Sequence, residues 1–182
     1  MPADKGVFEQ FPNPVFIETG MWEGDGINAA LRAGFQRIIS MDIAQCPVEF
    51  CRRLFSTNPA VSLHCGSSAD LLPEILAPIT EPVTFWLDAH YSGNWGGGSE
   101  VPPIIQELEA IKHWGPPAGT VILIDDWRLF KDGTFGPGLD KMVLAFMTYS
   151  LDILRPVPVS FVDGYQACTG NTFPQDILVA KI

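Results

Sequence analysis

Acidic residues stand at the ends of several short apolar segments of this sequence, where they could do chemistry together. Glu18 and Asp42 close two such segments, Asp88 closes a third, and the pair Asp125-Asp126 closes the most apolar one. Carboxylates can accept hydrogen bonds from hydroxyl groups, bind cations or move protons. A purely structural role would scatter acids over helix surfaces, so this placement indicates a shared ligand site.

A glycine-rich segment follows the first of these acids. It reads Glu18-Thr19-Gly20-Met21-Trp22-Glu23-Gly24-Asp25-Gly26, with three glycines in seven residues. Glycine lets the backbone turn tightly and approach a ligand without a Cβ in the way, whereas a plain strand-to-helix turn needs only one glycine. The GxxxGxG spacing differs from the GxGxxG fingerprint of dinucleotide-binding proteins, so pyrophosphate binding is the weaker interpretation.

Asp42 follows this segment by about 20 residues, the usual distance from a glycine turn to a ribose-binding acid. A carboxylate at the end of the second strand can accept two hydrogen bonds from ribose hydroxyls. The alternative is a strand-end acid that meets only water.

Three carboxylates belong to two predicted strands that should be neighbours. Asp88 lies in Leu87-Asp88-Ala89-His90-Tyr91, and Asp125 and Asp126 end the next strand. Adjacent parallel strands lie about 4.8 Å apart, and carboxylates that converge there repel one another unless a cation compensates. Oxygen-only ligands in this number favour Mg²⁺. The alternative is that Asp125 and Asp126 merely cap a turn.

His90, two residues beyond Asp88, could face the same cleft. The reference pKa of an imidazole, about 6.5, suits a general base. A structural role for this histidine is the alternative interpretation.

The glycine segment resembles motif I of class I S-adenosylmethionine-dependent methyltransferases. The three aspartates resemble the metal site of the macrocin-type sugar O-methyltransferases, and the resemblance covers about residues 15–130. It implies S-adenosylmethionine (SAM) as cofactor and a divalent metal, Mg²⁺, on Asp88, Asp125 and Asp126. It implies cofactor contacts from Glu18, Thr19, Gly20, Gly24, Asp25, Asp42, Ser67 and Asp88.

Two positions depart from the family pattern. Relatives tend to carry an acid at the position of His90 and often one at that of Ser67, in the region that reaches the adenine. A serine can still hydrogen-bond the exocyclic amine, but Ser67 could equally be a helix N-cap. The extra segments that cover the substrate in related sugar methyltransferases are not visible in this sequence.

The resemblance implies an in-line methyl transfer to a hydroxyl oxygen of a small hydroxylated substrate. The sulfonium is already activated, so the enzyme mainly aligns the acceptor. A metal on the acceptor hydroxyl would lower its pKa, and His90 or a carboxylate such as Asp88 would remove the proton. An acceptor with two neighbouring oxygens could chelate the metal, which favours a sugar diol or a catechol-like group.

Aromatic residues and loops near these positions are candidates for a substrate wall and a lid. Residues 92–99 could close the pocket or be a simple connection, and residues 128–137 could fold over it. The aromatic candidates, some of which could instead belong to the core, are Trp22, Tyr91, Trp95, Trp127, Phe130 and Phe135.

The elements that must position these residues alternate along the chain. Strands are predicted at Val15–Thr19, Arg37–Asp42, Val61–Cys65, Val83–Asp88, Thr120–Asp125, Val157–Val162 and Ile177–Ile182. Helices are predicted at Asp25–Ala33, Pro47–Phe55, Ala69–Leu76, Pro103–Trp114 and Leu139–Leu154. This alternation predicts an α/β, Rossmann-like, doubly wound and mostly parallel seven-stranded sheet with helices on both faces. Residues 1–182 are expected to form a single domain after a short N-terminal extension, residues 1–14.

The composition of the chain limits the kinds of binding partner that are expected. The formal net charge is -10, which disfavours nucleic acids and anionic membranes. The sequence shows no signal peptide or membrane-spanning run, and its four cysteines match no zinc or redox motif, so a cytoplasmic protein is expected. The pocket is either open or closed by a second subunit, which would make the protein a homodimer.

Two other functions stay open at this point. One is a non-catalytic SAM-binding module that acts through a partner, which the missing cap favours and the three aspartates oppose. The other is a metal-dependent hydrolase that uses the same aspartates and His90, against which the glycine segment and Asp42 argue.

Overall fold

The computed structural model describes residues 5–90, 101–149, 157–166 and 171–182. The strands β1 to β7 are Val15–Thr19, Arg37–Asp42, Val61–Cys65, Val83–Leu87, Val121–Ile124, Val159–Gln166 and Asn171–Lys181. The helices α1 to α7 are Lys5–Phe8, Asp25–Ala33, Gln45–Leu54, Ser68–Leu76, Ile104–Trp114, Trp127–Lys131 and Leu139–Tyr149. No helix in this described part of the chain is long and apolar enough to cross a membrane.

The seven described strands form one sheet in the order β3-β2-β1-β4-β5-β7-β6. The first five strands pair in parallel, β7 is antiparallel to β5, and β6 is antiparallel to β7. The strand order reverses between β1 and β4, and ligands of open α/β sheets bind at the carboxyl ends next to such a point. The predicted doubly wound, mostly parallel seven-stranded sheet is therefore confirmed.

Both faces of the sheet are buried. Because successive side chains along a strand point to opposite sides, each strand contributes to an apolar cluster on each face. In β1, Val15 and Ile17 belong to one apolar cluster and Phe16 belongs to the other. In β4, Phe85 and Trp86 divide in the same way. Helices α4, α5 and α7 cover the first face, and α1, α2 and α3 cover the second.

Some boundaries differ from the predicted ones. Helix α3 begins at Gln45 rather than Pro47, since proline is tolerated within the first helical turn. Strand β7 begins at Asn171 rather than Ile177, because a polar first half extends its hairpin with β6. The four-residue α1 and five-residue α6 are absent from the predicted pattern, being too short to show helical periodicity. The predicted helix end at Leu154 and the candidate lid, residues 92–99, lie outside the described residues.

The turn after β1 brings three strand ends into contact. Gly20 has a φ of 85°, in the left-handed region that favours glycine. A Cβ on Gly20 would lie 2.3 Å from the carbonyl oxygen of Asp88, and the Gly20 N–H donates to the carbonyl oxygen of Met41 at 2.9 Å. The glycine turn and Asp88 therefore meet at the same edge of the sheet.

A buried carboxyl group lies beneath this turn. Glu18 is 2% exposed, and the Ser40 hydroxyl donates to its Oε2 at 2.5 Å. A Cβ on Gly26, in the first turn of α2, would lie 1.8 Å from Glu18 Oε1, so the helix reaches the carboxyl group only because this residue lacks a side chain. Burial raises the pKa of Glu18 to about 8 against the effect of the Ser40 hydrogen bond, and the charges of Asp88 and Asp42 add to the rise.

The contact of Gly26 with Glu18 predicts that Gly26→Ala lowers the free energy of unfolding by about 1–3 kcal/mol, the usual cost of an overpacked site. Urea denaturation followed by circular dichroism measures this loss. Gly6→Ala in α1 is the control, because nothing lies within 4 Å of a Cβ at that position and alanine favours helices. Equal stability of the two variants would contradict the packing described for α2.

The pKa of Glu18 predicts a specific pH dependence of stability. The unfolded chain releases this proton near the ordinary pKa of 4.5, whereas the folded chain keeps it until about pH 8. The stabilisation by the bound proton is therefore complete below the ordinary pKa and is lost as the pH rises to the folded pKa. The glutamine in Glu18→Gln cannot ionise. The free energy of unfolding of this variant, relative to that of the wild type, should therefore rise by about 3 kcal/mol between about pH 5 and pH 8. Urea unfolding at both pH values tests this, and a constant difference would refute a protonated Glu18.

Candidate functional site

The carboxyl ends of the parallel strands meet at one edge of the sheet. Thr19 pairs with Met41 of β2 and with Leu87 of β4, and Leu87 pairs with Ile124 of β5. The loops that follow these residues therefore begin side by side. They bring the glycine turn, Asp42, Asp88 and the Asp125-Asp126 pair to the same edge of the sheet.

Asp42 ends β2 with both carboxylate oxygens oriented by backbone donors. The Trp22 N–H donates to Oδ2 at 3.2 Å, and the Ala44 N–H donates to Oδ1 at 2.8 Å. The side chain is half-buried, and each oxygen can accept a further hydrogen bond. This arrangement suits two neighbouring hydroxyls, as a ribose presents them.

The other predicted cofactor residues differ in exposure around this point. Thr19 is buried, Gly24 forms the left-handed N-cap of α2, and Asp25 is exposed in the first turn of that helix. Ser67 occupies the N-cap position of α4, but within the described chain its side chain makes no capping hydrogen bond. The Ser67 hydroxyl thus does not serve as a cap, and its contact with adenine stays a prediction.

His90 lies between two carboxylates. Its Nε2 is 3.1 Å from Asp88 Oδ1 and 2.9 Å from Asp126 Oδ2. Burial opposes the charged imidazole, but the hydrogen bonds to Asp126 and Asp88 outweigh it and raise the pKa of His90 to about 10. An imidazolium that donates to both neighbours becomes a general base only after it has lost that proton, so the catalytic role of His90 stays a prediction.

A second cation, Arg128, links Asp126 to strand β7. Its Nη1 lies 2.7 Å from Asp126 Oδ1 and also pairs with the carboxylate of Asp176. The Arg128 N–H donates to Asp176 Oδ1 at 2.8 Å, and the guanidinium lies 4.3 Å from the centroid of the Phe173 ring. Asp126 is thus held by a different cation on each of its oxygens.

The two consecutive aspartates after β5 have opposite electrostatic environments. Burial, together with the charges of Asp88 and Asp126, holds the pKa of Asp125 well above its usual range. Burial also acts against the charge of Asp126, but His90 and Arg128 outweigh it and hold the pKa of that carboxyl below its ordinary value. Asp125 therefore tends to be neutral where Asp126 is charged.

Two groups of described side chains place potential metal-ligand atoms within 4.8 Å of one another. One is Asp88, His90 and Asp126, and the other is Asp125, Asp126 and Asp176. The predicted trio of Asp88, Asp125 and Asp126 is not among these groups. The backbone of Asp126 has a φ of 53°, and its carboxylate contacts His90 while Asp125 belongs to the other group. These donors fit a divalent cation, but the first group adds a nitrogen ligand to the predicted oxygens.

A small pocket adjoins the first group, between the ends of β4 and β5 and helix α5. Its polar lining comes from Asp88, His90, Glu107 and Asp125. The Ser68 hydroxyl donates to Glu107 Oε1 at 2.5 Å, and burial raises the pKa of Glu107 to about 7. Ligand pockets usually measure about 300–1,000 Å³, and this pocket is far smaller, with room for a water-sized group only.

Three residues of the predicted aromatic wall belong to the core. The Trp127 and Phe130 rings stack at 5.1 Å, Phe130 and Phe135 meet at 4.9 Å, and all three are buried. Phe135 also lies 5.1 Å from the His90 ring and so borders the site. Outside the described residues lie Tyr91 and Trp95.

Sequence reasoning misses four residues of the site: Ser68, Glu107, Arg128 and Asp176. Glu107 carries a detectable signal, because it interrupts the apolar face of α5 between Ile104 and Leu108. Asp176 carries a weaker signal, because it directly precedes the predicted final strand, and an antiparallel strand begins at the carboxyl edge of the parallel strands. Arg128 depends on the unpredicted helix α6 and had no such signal.

No protein-family model matches this sequence, and no curated protein sequence matches it. Solved structures do match it. The O-methyltransferase TomG from Streptomyces achromogenes, involved in tomaymycin synthesis and solved with SAM, has a TM-score of 0.67 and 15% identity, with 98% of this chain and 77% of that chain covered. An O-methyltransferase from Bacillus cereus, solved with SAH, has a TM-score of 0.65 and 14% identity, and the match covers 98% of this chain and 78% of that chain. The SAH-bound Podospora anserina methyltransferase PaMTH1 has a TM-score of 0.62 and 14% identity, and the match covers 97% of this chain and 75% of that chain.

These three neighbours share their architecture with this protein but little of their sequence. At such low identities the likeness shows the fold alone. Each neighbour was solved with SAM or its demethylated product SAH. The chain therefore has the Rossmann-like fold of S-adenosylmethionine-dependent methyltransferases.

Proposed function

We propose that this protein is a SAM-dependent O-methyltransferase that acts on a small hydroxylated molecule with the help of a divalent metal. One observation carries the proposal. The glycine turn contacts the backbone of Asp88 at the same sheet edge that holds Asp42 and two side chains that could hold a cation, His90 and Asp126. The residues proposed to bind the cofactor and those proposed to bind the acceptor are thus neighbours, as a direct transfer between two ligands requires.

The residues after β1 and β2 suit the donor. Asp42 would accept the ribose hydroxyls through the two oxygens that Trp22 and Ala44 orient. The glycine turn, whose Gly20 and Gly24 have positive φ values, would pass close to the methionine portion without side chains in the way. Bound SAM supplies a methyl group on a positively charged sulfur, and the acidic residues at this edge of the sheet favour that charge.

The residues after β4 and β5 suit the acceptor. A divalent metal, when bound, lowers the pKa of a hydroxyl that it coordinates. Asp88 and Asp126 are the carboxylates placed to hold it, and His90 lies between them. Of the groups that line the adjoining cavity, the carboxylates of Asp88 and Glu107 can accept the hydroxyl proton, whereas an imidazolium at His90 cannot.

The substrate class follows from chemistry and size. A net charge of -10 repels phosphate backbones and anionic membrane surfaces, so a small neutral or cationic molecule is the better partner. The small pocket beside Asp88 and His90 has room for a hydroxyl-sized group, so the rest of a sugar diol or of a catechol-like ring would lie outside it. We place the reaction in the cytoplasm, with a second subunit as the candidate cover for the pocket.

Cofactor binding is tested by calorimetry with SAM. Asp42→Ala should weaken binding about tenfold or more, because two hydrogen bonds to a charged acceptor are lost. Asp42→Asn, which keeps the shape and one acceptor, should have a smaller effect. Glu74→Ala, on the exposed side of α4, is the control. Unchanged affinity in both Asp42 variants, with the fold intact by circular dichroism, would remove the ribose assignment.

Methyl transfer is tested with labelled SAM and paired acceptors. A catechol and a sugar diol should be methylated in the presence of Mg²⁺ or Mn²⁺, whereas phenol should react far less because it cannot chelate a metal. A chelating agent should abolish the reaction, and added metal should restore it. Equal activity on phenol, insensitive to chelation, would refute metal assistance. Tight SAM binding without transfer to any acceptor would favour the non-catalytic module.

A further inference from the structure

The three ligand atoms around His90 have the spacing of neighbours on one metal ion. His90 Nε2 lies 3.1 Å from Asp88 Oδ1 and 2.9 Å from Asp126 Oδ2, and all three atoms lie within 4.8 Å of one another. Adjacent ligands of an octahedral ion with bonds of about 2.1 Å lie about 3 Å apart. The nitrogen therefore occupies the position of a ligand beside two carboxylate oxygens.

The local structure holds each of the three side chains. The His90 N–H donates to the Asp88 carbonyl oxygen at 3.0 Å, which keeps these two residues on one tight turn after β4. The His90 ring packs 5.1 Å from Phe135. Asp126 has a left-handed φ of 53°, and Arg128 holds its Oδ1 while Oδ2 faces His90. Partners of this kind orient metal ligands in proteins.

The second acidic group is the weaker place for a metal. Asp126 and Asp176 already share the guanidinium of Arg128, which supplies positive charge from the protein itself. Asp125 belongs to that second group only. A metal is therefore best placed in the first group, where the ligand set is one imidazole and two carboxylates.

This ligand set is selective. Mg²⁺ takes oxygen ligands and gives up water reluctantly, whereas first-row transition-metal ions also take an imidazole nitrogen, Mn²⁺ least strongly among them. We propose that His90 is itself a metal ligand, whose Nε2 proton passes to solvent when the metal binds, and that Asp88, His90 and Asp126 form a site that prefers Mn²⁺, Co²⁺ or Zn²⁺ to Mg²⁺. The role of such an ion in methyl transfer rests on the function proposed above, but its binding does not require SAM.

The test is metal binding by the 182-residue chain, without SAM or acceptor. The wild type should bind one Mn²⁺ per chain, with Mg²⁺ about tenfold weaker or worse. Pulsed electron paramagnetic resonance of bound Mn²⁺ should show coupling to a ¹⁴N nucleus. His90→Ala should remove that coupling and weaken Mn²⁺ binding about a hundredfold, whereas His113→Ala on the exposed end of α5 should change neither.

His90→Asp is the sharper variant, because it replaces the nitrogen with an oxygen donor. It should restore binding while shifting the preference from Mn²⁺ and Zn²⁺ toward Mg²⁺. Circular dichroism checks that each variant folds. Mn²⁺ bound without nitrogen coupling, unchanged binding in His90→Ala, or no metal binding by the wild type would each overturn the proposal. Calorimetry with SAM alone separates these outcomes from failure of the cofactor assignment.

Discussion

Carboxylates gathered at a buried sheet edge must be compensated by positive charge or protonation, and this constraint organises the site. Two unit charges about 4.8 Å apart repel by about 3.5 kcal/mol at an effective dielectric constant of 20, a large fraction of a protein's net stability. The protein responds with two cations, His90 and Arg128, and with a raised pKa at Asp125. The acids still outnumber the cations, which suits ligands that bring charge, a sulfonium and a divalent metal.

The sheet creates this concentration of charge. Parallel register aligns the ends of β1, β2, β4 and β5, so the loops that follow them open at one edge. The antiparallel β7 brings Asp176 to the same edge from the opposite direction. Gly20 then allows the backbone turn after β1 to lie against Asp88 at the end of β4. The same strands that form the core thus position the chemistry.

Much of this could be predicted from the sequence, and the exceptions have physical causes. Apolar strands and amphipathic helices have strong periodicities. Once a strand is predicted, the position of an acid at its end, such as Asp42, is predicted with it. The ion pair between Asp126 and Arg128 could not be predicted. It depends on the left-handed backbone conformation of Asp126 and on a five-residue helix that contains Arg128. His90 was recognisable as a cleft residue, but its position between two carboxylates is a tertiary feature.

A crystal structure with bound S-adenosylhomocysteine tests the central claim most directly, namely that the glycine turn and the strand-end acids form one cofactor crevice. Density for the nucleoside should lie over the carboxyl edge, with both ribose hydroxyls on Asp42 and the amino-acid portion beside Gly20. The sulfur should face the side of the crevice that holds Asp88. A nucleoside bound elsewhere, or one that leaves the Asp42 carboxylate without a ribose contact, would contradict the claim.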